Sequence, residues 1–300
     1  MINRFLKYVE IATKITSVFA FLMTLAYLNY IDQDINWKLT SVFIASAFIF
    51  DMTTTAINNY IDTKTNGQQL HFERKTALYI IYLMFAVSAL LGMYLVLLTD
   101  IAVLFMGGLC FLCGVFYTYG PAAISRLPLG EVMSGFFYGI MIPFILLYIN
   151  IPEGTFLKLD ISIETVSLSL SVIPLLKFLL FSTVPFCTTA NIMLANNICD
   201  IEKDIKVKRH TLPYYIGVEK SIALFEWVYY LSYIAVILMV VFGILHPLCI
   251  LHLLTLYAAK KNINTFKEVQ DKETTFITAI KNYIIIMASI CMLIFISSMI

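Results

Sequence analysis

The chain has 300 residues, of which only 20 are Lys or Arg and 19 are Asp or Glu, while 60% are hydrophobic and the mean hydropathy is +0.87. A soluble globular chain carries about 25% charge, so this composition excludes a water-soluble α/β enzyme, a nucleic-acid binder and a disordered chain. The net charge of +1 decides nothing as a total; where the few charges fall decides a good deal.

The chain opens on Arg4, Lys7, Glu10 and Lys14 ahead of an apolar stretch. That stretch lacks a small-residue cleavage site and is followed by many more apolar blocks, so it reads as an uncleaved first helix. Nine apolar blocks follow one another between polar breaks, at roughly 12–30, 39–60, 76–98, 101–119, 131–150, 172–198, 221–242, 246–259 and 277–299. Most reach the ~20 residues with which a helix crosses ~30 Å of hydrocarbon. They are continuously apolar, where barrel strands alternate apolar and polar over ~10 residues. The expected fold is therefore all-α: a polytopic membrane protein of about nine transmembrane helices, with 1–300 as a single domain. The eighth block is the shortest, bounded by His246-Pro247 and Lys260-Lys261.

With the N-terminus in the cytoplasm, nine spans leave five segments on that side, and these hold 17 of the 20 basic residues; only Lys38, Lys158 and Lys177 fall elsewhere. Such a bias is the positive-inside pattern. Without the eighth span, the last basic cluster (Lys260, Lys261, Lys267, Lys272, Lys281) would move outside and weaken it. The six cysteines form no disulfide framework, and Cys110-x-x-Cys113 lies within a span, where packing is the ordinary use of a thiol.

Two cytoplasmic segments continue from apolar helices and carry oxygen-bearing rows. In the first, Asp51, Thr55, Asn58, Asp62 and Asn66 follow i, i+4, i+7, i+11, i+15 and share one helical face. Asp51 lies well inside its span, where a carboxylate needs a polar partner or a function. In the second, Thr189, Asn196, Asp200 and Asp204 stack in the same way. Rows of this kind suit Mg²⁺, which takes a few carboxylates and completes its shell with water and phosphate oxygens. Lys206, Lys208 and Arg209, with Arg74 and Lys75 in the other segment, suit a diphosphate.

These rows resemble the UbiA superfamily of intramembrane prenyltransferases, marked by N-D-x-x-D-x-x-x-D after the second helix and D-x-x-x-D after the sixth. The matching residues are Asn58-Asn59-x-x-Asp62-x-x-x-Asn66 and Asp200-x-x-x-Asp204. Within the superfamily, Asn196, Asn197, Asp200, Asp204, Arg209, Thr211 and Leu212 resemble the branch that prenylates 1,4-dihydroxy-2-naphthoate, as do Tyr117-Thr118-Tyr119-Gly120-Pro121 and Leu129-Gly130-Glu131. Three departures stand out. Asn59 and Asn66 replace acidic residues, Lys208 stands where the branch usually has Gly, and Ala122-Ala123 replace a basic residue and a proline.

The resemblance implies Mg²⁺-dependent transfer of a polyprenyl group from its diphosphate to an aromatic acceptor, with loss of the ring carboxylate and a demethylmenaquinone-type product in the naphthoate branch. Asp62, Asp200 and Asp204 take the catalytic, metal-holding role, supported by Asn58, Asn66 and Asn196. Lys206, Arg209, Arg74 and Lys75 take the diphosphate. Tyr60, Tyr117 and Tyr119 lie near enough to steady an allylic cation through their π faces, with Asp51 as a further contributor. Phe136 and Phe137 are candidates for the prenyl tail's path, where each buried CH₂ gains ~0.8 kcal/mol. The expected partners are the polyprenyl diphosphate, the aromatic acceptor and membrane lipid, with no nucleic acid and no obligate protein partner. The expected location is the cell membrane, multi-pass, with the active site on the cytoplasmic side. Two alternatives stand beside this reading: a UbiA-type transferase using a 4-hydroxybenzoate-like acceptor or a glycerol phosphate, and a cation-coupled secondary transporter, whose polar residues would lie at the bilayer midplane.

Overall fold

The computed structural model describes residues 1–64, 69–120 and 123–300. A short helix α1 (Ile2–Tyr8) and a 3₁₀ turn (Ile11–Lys14) lead into α2 (Ile15–Tyr30), followed by α3 (Trp37–Asp62), α4 (Arg74–Leu98) and α5 (Ile101–Thr118). The fifth crossing is composite: α6 (Gly130–Gly135), a π turn (Phe136–Met141) and α7 (Ile142–Tyr148). A hairpin of β1 (Leu157–Ile161) and β2 (Val166–Leu170) precedes α8 (Val172–Cys199), α9 (Ile201–Lys206), α10 (Leu212–Ile216) and α11 (Val218–Val241). The chain ends with a 3₁₀ helix (Pro247–Leu254) running into α12 (Thr255–Glu268), and α13 (Ile277–Ser297).

Eight helical stretches among the described residues are long and apolar enough to cross a membrane, so this is a multi-pass membrane protein. Their bounds agree with the expected spans to within a few residues. The exception is the eighth expected span, which extends beyond 259 as the 3₁₀ helix and α12. Its second half is amphipathic, with Ala259, Ile263 and Phe266 buried and Lys260, Lys261 and Lys267 exposed, and so escapes a criterion based on mean apolarity. Eight 3₁₀ residues and fourteen α residues extend about 37 Å at ~2.0 and ~1.5 Å each, enough to cross. The end contacts agree: Cys249 Sγ lies 3.9 Å from Ser297 Oγ at the end of α13, and Lys267 Nζ lies 2.6 Å from Glu226 Oε2 in the first half of α11.

One core joins α2, α8, α11 and α13 through Met23, Phe181, Val184, Phe225, Tyr229, Tyr283 and Met287. A second joins α2, α3, α5 and α7 through Phe21, Phe43, Val103 and Leu146. Where α8 passes the π turn, the backbones nearly touch: a Cβ on Gly139 would stand 2.3 Å from Phe186 N. Helix starts far from the acidic rows are capped by side chains, Asn36 accepting from Leu39 N at 3.2 Å and Asp100 from Ala102 N at 2.8 Å. The hairpin lies at that far end. Its residues alternate, Leu157, Leu159 and Ile161 pairing with Leu170, Leu168 and Val166 on one face and Lys158 and Asp160 with Ser169 and Ser167 on the other.

Candidate active site

The second row is built where α8 gives way to α9. Asp200 is the joint, with φ −98° and ψ 6°, and its carbonyl accepts from Asp204 N at 2.8 Å, which keeps the two carboxylates one turn apart on one side. Beyond α9 the chain doubles back: Lys208 takes a left-handed conformation, φ 57°, and Arg209 N donates to Asp204 O at 2.8 Å. Glycine fits that conformation without a Cβ penalty, so Lys208 makes the turn at some strain. The turn aims Arg209 back over the row.

Arg209 joins the two rows. Its guanidinium lies 3.7 Å from Asp62 Oδ2 at the end of α3 and 3.6 Å from Asp204 Oδ1, and it donates to Ser125 O at 3.3 Å. Asp200 is paired separately, with Lys272 Nζ at 2.6 Å and Lys203 Nζ at 3.6 Å. Lys272 also donates a short hydrogen bond to Asn196 Oδ1. Burial pushes the Asp204 carboxyl above its ordinary range, Arg209 pulls it back, and the neighbouring Asp200 and Asp62 carboxylates raise it again. Asp62, Asp200 and Asp204 thus lie within one electrostatic neighbourhood, 138 residues of sequence having been closed between Asp62 and Asp200.

Asp51 does not join them. Three turns below Asp62 along α3, it accepts from Lys14 Nζ at 2.7 Å and Tyr138 OH at 2.7 Å, and from Ser17 Oγ in a short hydrogen bond. Lys14 also donates to Asp51 O at 3.1 Å and to Thr55 Oγ1 at 2.5 Å. The carboxylate that stood out in the sequence is therefore half of a buried ion pair tying α2, α3 and the π turn together, with both of its oxygens hydrogen-bonded.

The remaining expected residues divide. Asn58 Oδ1 accepts from Thr118 Oγ1 at 3.3 Å, linking α3 to α5. Asn59 Nδ2 donates to Tyr8 O at 2.9 Å and Glu10 Oε1 at 3.1 Å, so this residue holds the N-terminal segment. Asn66 lies outside the described residues. Arg74 caps the C-terminus of α3, donating to Tyr60 O at 3.1 Å and Thr63 O at 3.2 Å; its guanidinium sits 5.4 Å from the Tyr60 ring centre, with Lys64 Nζ at 5.1 Å from the same ring. The Tyr60 π system is thus occupied by the protein's own cations. Lys75 and Lys206 are exposed. Tyr119 is 63% exposed at the end of α5, whereas Tyr117 turns inward, in the electrostatic neighbourhood of Arg209, Glu131 and Asp62.

Four further residues reach the site: Glu131 and Asn197, which belong to the branch resemblance, and Arg126 and Lys272, to which the sequence assigns no role there. Glu131 and Asn197 are buried and joined at 2.9 Å from Asn197 Nδ2 to Glu131 Oε1; Arg126 lies within electrostatic reach of Asp62; and Lys272 comes from the far side of the sequence. Each was visible as a charge or amide near a span end, a signal shared by every solvated cap.

Among the described residues, no three acidic, histidine or cysteine side chains converge closely enough to cage a metal by themselves. The donors present are carboxylate and amide oxygens held by internal cations. That set fits a hard cation that keeps several waters and takes substrate oxygens, as Mg²⁺ does.

The UbiA prenyltransferase family matches residues 17–284. Among curated proteins, 1,4-dihydroxy-2-naphthoate octaprenyltransferase of Bacillus subtilis (strain 168) is 24% identical over 236 residues, covering 75% of this chain and 69% of that protein. Similar solved structures include one of digeranylgeranylglyceryl phosphate synthase (TM-score 0.65, 13% identity, 99% of this chain and 98% of the other). Two others are a UbiA homologue from Archaeoglobus fulgidus bound to GPP and Mg²⁺ (0.64, 14%, 99% and 100%) and an apo UbiA homologue from Aeropyrum pernix K1 (0.63, 15%, 91% and 96%).

Proposed function

The chain belongs to the UbiA prenyltransferase family and is a prenyltransferase; from that premise we propose that it moves a polyprenyl group from a polyprenyl diphosphate to 1,4-dihydroxy-2-naphthoate in the cell membrane, at its cytoplasmic face. Family membership sets aside the transporter alternative. The observation that carries the reading is the convergence of Asp62, Asp200 and Asp204 on Arg209 and Lys272 at one end of the bundle. The naphthoate acceptor is supported by the branch resemblance and by the 24% identical Bacillus subtilis protein.

In this mechanism Asp62, Asp200 and Asp204, with Asn58 and Asn196 beside them, would hold Mg²⁺; Asn66, expected as a further ligand, lies outside the described residues. The ion supplies neutralisation of the charge that gathers on the diphosphate as the allylic C–O bond stretches. Arg209, held between Asp62 and Asp204, is placed where it would donate to the diphosphate, and a guanidinium suits phosphate oxygens bidentately. Lys206, Lys75 and Arg74 widen the positive rim. Tyr117 is the tyrosine whose position beside Arg209 and Asp62 suits it to face the allylic cation, since Tyr60 is covered and Tyr119 points outward. The acceptor's electron-rich ring carbon then forms the C–C bond to the allyl carbon. In the naphthoate case the electron pair of the ring–carboxylate bond restores the aromatic ring as CO₂ departs, so no net proton is lost. The prenyl tail lies among apolar helices or in lipid.

The test is turnover by the purified protein with Mg²⁺, a polyprenyl diphosphate and a panel of acceptors (1,4-dihydroxy-2-naphthoate, 4-hydroxybenzoate, glycerol 1-phosphate), read by product mass. A decarboxylated prenyl-naphthoquinol is the expected product; transfer to glycerol phosphate alone refutes the aromatic assignment.

A further inference from the structure

The segment between α12 and α13 is a stapled loop. Gln270 Nε2 donates to Phe266 O at 2.7 Å and Lys267 O at 2.9 Å, closing the end of α12. Asp271 Oδ1 accepts from Glu273 N at 3.1 Å, Thr274 N at 2.8 Å and Thr274 Oγ1 at 2.7 Å, and Thr275 Oγ1 donates to Val269 O at 2.7 Å. Lys272 stands at the tip of this loop, its ammonium 4.7 Å from the Phe276 ring centre and on the oxygens of Asp200 and Asn196. The backbone is fixed, while the four-carbon stem is free to turn; the side chain is 32% exposed.

An ammonium and a divalent cation cannot share the same carboxylate lone pairs. Metal bound through the Asp200 Oδ2 and Asn196 Oδ1 oxygens that Lys272 holds would displace it, leaving a tethered cation beside the metal. A diphosphate bridging the metal presents its oxygens there. Resting on the prenyl-diphosphate reading above, we infer that Lys272 competes with the metal for Asp200 and becomes a diphosphate-binding residue once displaced, so that metal and diphosphate enter together. The coupling is a free energy between two ligands: each improves the affinity of the other because each removes the partner Lys272 would otherwise hold or lack. Metal is then held weakly until a diphosphate arrives.

The test uses the full-length protein in detergent with Mn²⁺ as the metal probe, followed by electron paramagnetic resonance, with and without inorganic pyrophosphate. For the natural chain, pyrophosphate is expected to tighten Mn²⁺ binding about tenfold or more. In Lys272→Met, Mn²⁺ alone should bind about three- to tenfold tighter and the pyrophosphate effect should shrink, while KM for the prenyl diphosphate rises about tenfold and KM for the acceptor stays put. A merely structural lysine would weaken both ligands or neither. Lys272→Arg should keep most of the coupling, and Asp271→Ala, which frees the loop without removing the charge, should lose part of it; thermal unfolding of each variant confirms folding. Unchanged or weaker Mn²⁺ binding in Lys272→Met, with the pyrophosphate effect intact, overturns the inference. Failure of the natural chain to bind Mn²⁺ even with pyrophosphate overturns the diphosphate reading instead.

Discussion

Lys14 and Asp51 meet across 37 residues of sequence with side chains 3% and 6% exposed. Ser17, Thr55 and Tyr138 complete their hydrogen bonds. Deleting one partner of a buried pair strands the other charge, at a cost of about 3–5 kcal/mol, whereas replacing both with apolar residues is often neutral. Asp51→Ala should therefore lower the melting temperature in detergent sharply, and Lys14→Met with Asp51→Leu should recover most of it. If the double variant is as unstable as the single one, the pair has a role beyond balancing charge. At Asp200 the expectation is of another kind. Asp200→Ala removes a surface-ward carboxylate, so folding should persist while Mg²⁺-dependent prenyl transfer disappears; turnover near the natural rate would displace Asp200 from the metal row. The spacing of the two acidic rows was readable because helical periodicity alone sets a shared face. Which cation each carboxylate meets was not, because Lys14, Arg209 and Lys272 are brought in by tertiary packing and carry no local signature.

At the scale of elements, apolarity over about twenty residues is a strong signal, and the long helices follow it. The parts that escaped have weak local signals. The Pro247–Leu254 helix is 3₁₀ and continues into an amphipathic α12; the π turn at Phe136–Met141 sits inside an ordinary apolar stretch; and the hairpin occupies what reads as a polar loop. The π turn matters for the site because it lies against α8, which carries the second row. A Cβ at Gly139 would stand 2.3 Å from Phe186 N and 2.4 Å from Phe186 Cα, backbone atoms with little freedom to yield. Gly139→Ala should thus force the two elements apart and destabilise by about 3 kcal/mol, at the upper end of usual overpacking, with transfer activity falling as α8 shifts. Gly107→Ala is the control: no atom stands within 4 Å of its Cβ position, and alanine favours a helix by up to ~1 kcal/mol. Equal melting temperatures for the two variants would mean that α8 and the π turn do not pack this closely.

For the whole molecule the question is which way the bundle faces. The acidic rows, the Lys272 loop and the Lys267–Glu226 pair gather at one end; the hairpin, the Asn36–Asn150 contact at 2.8 Å and the Asn29–Ser298 contact at 2.6 Å mark the other. Of the 20 basic residues, 17 belong to segments assigned to the first end, and basic loops are retained in the cytoplasm. The site should therefore open to the cytoplasm, where a charged diphosphate made in water reaches it without crossing lipid. In a chain with its six cysteines replaced, Glu153→Cys beside the hairpin should react with a membrane-impermeant maleimide added to intact cells, and Lys203→Cys beside Asp200 should react only after the membrane is opened. Lys203→Cys labelled from outside intact cells would invert the molecule. The charge bias would then reflect the diphosphate site itself, with cations collected around a ligand, and would say nothing about insertion.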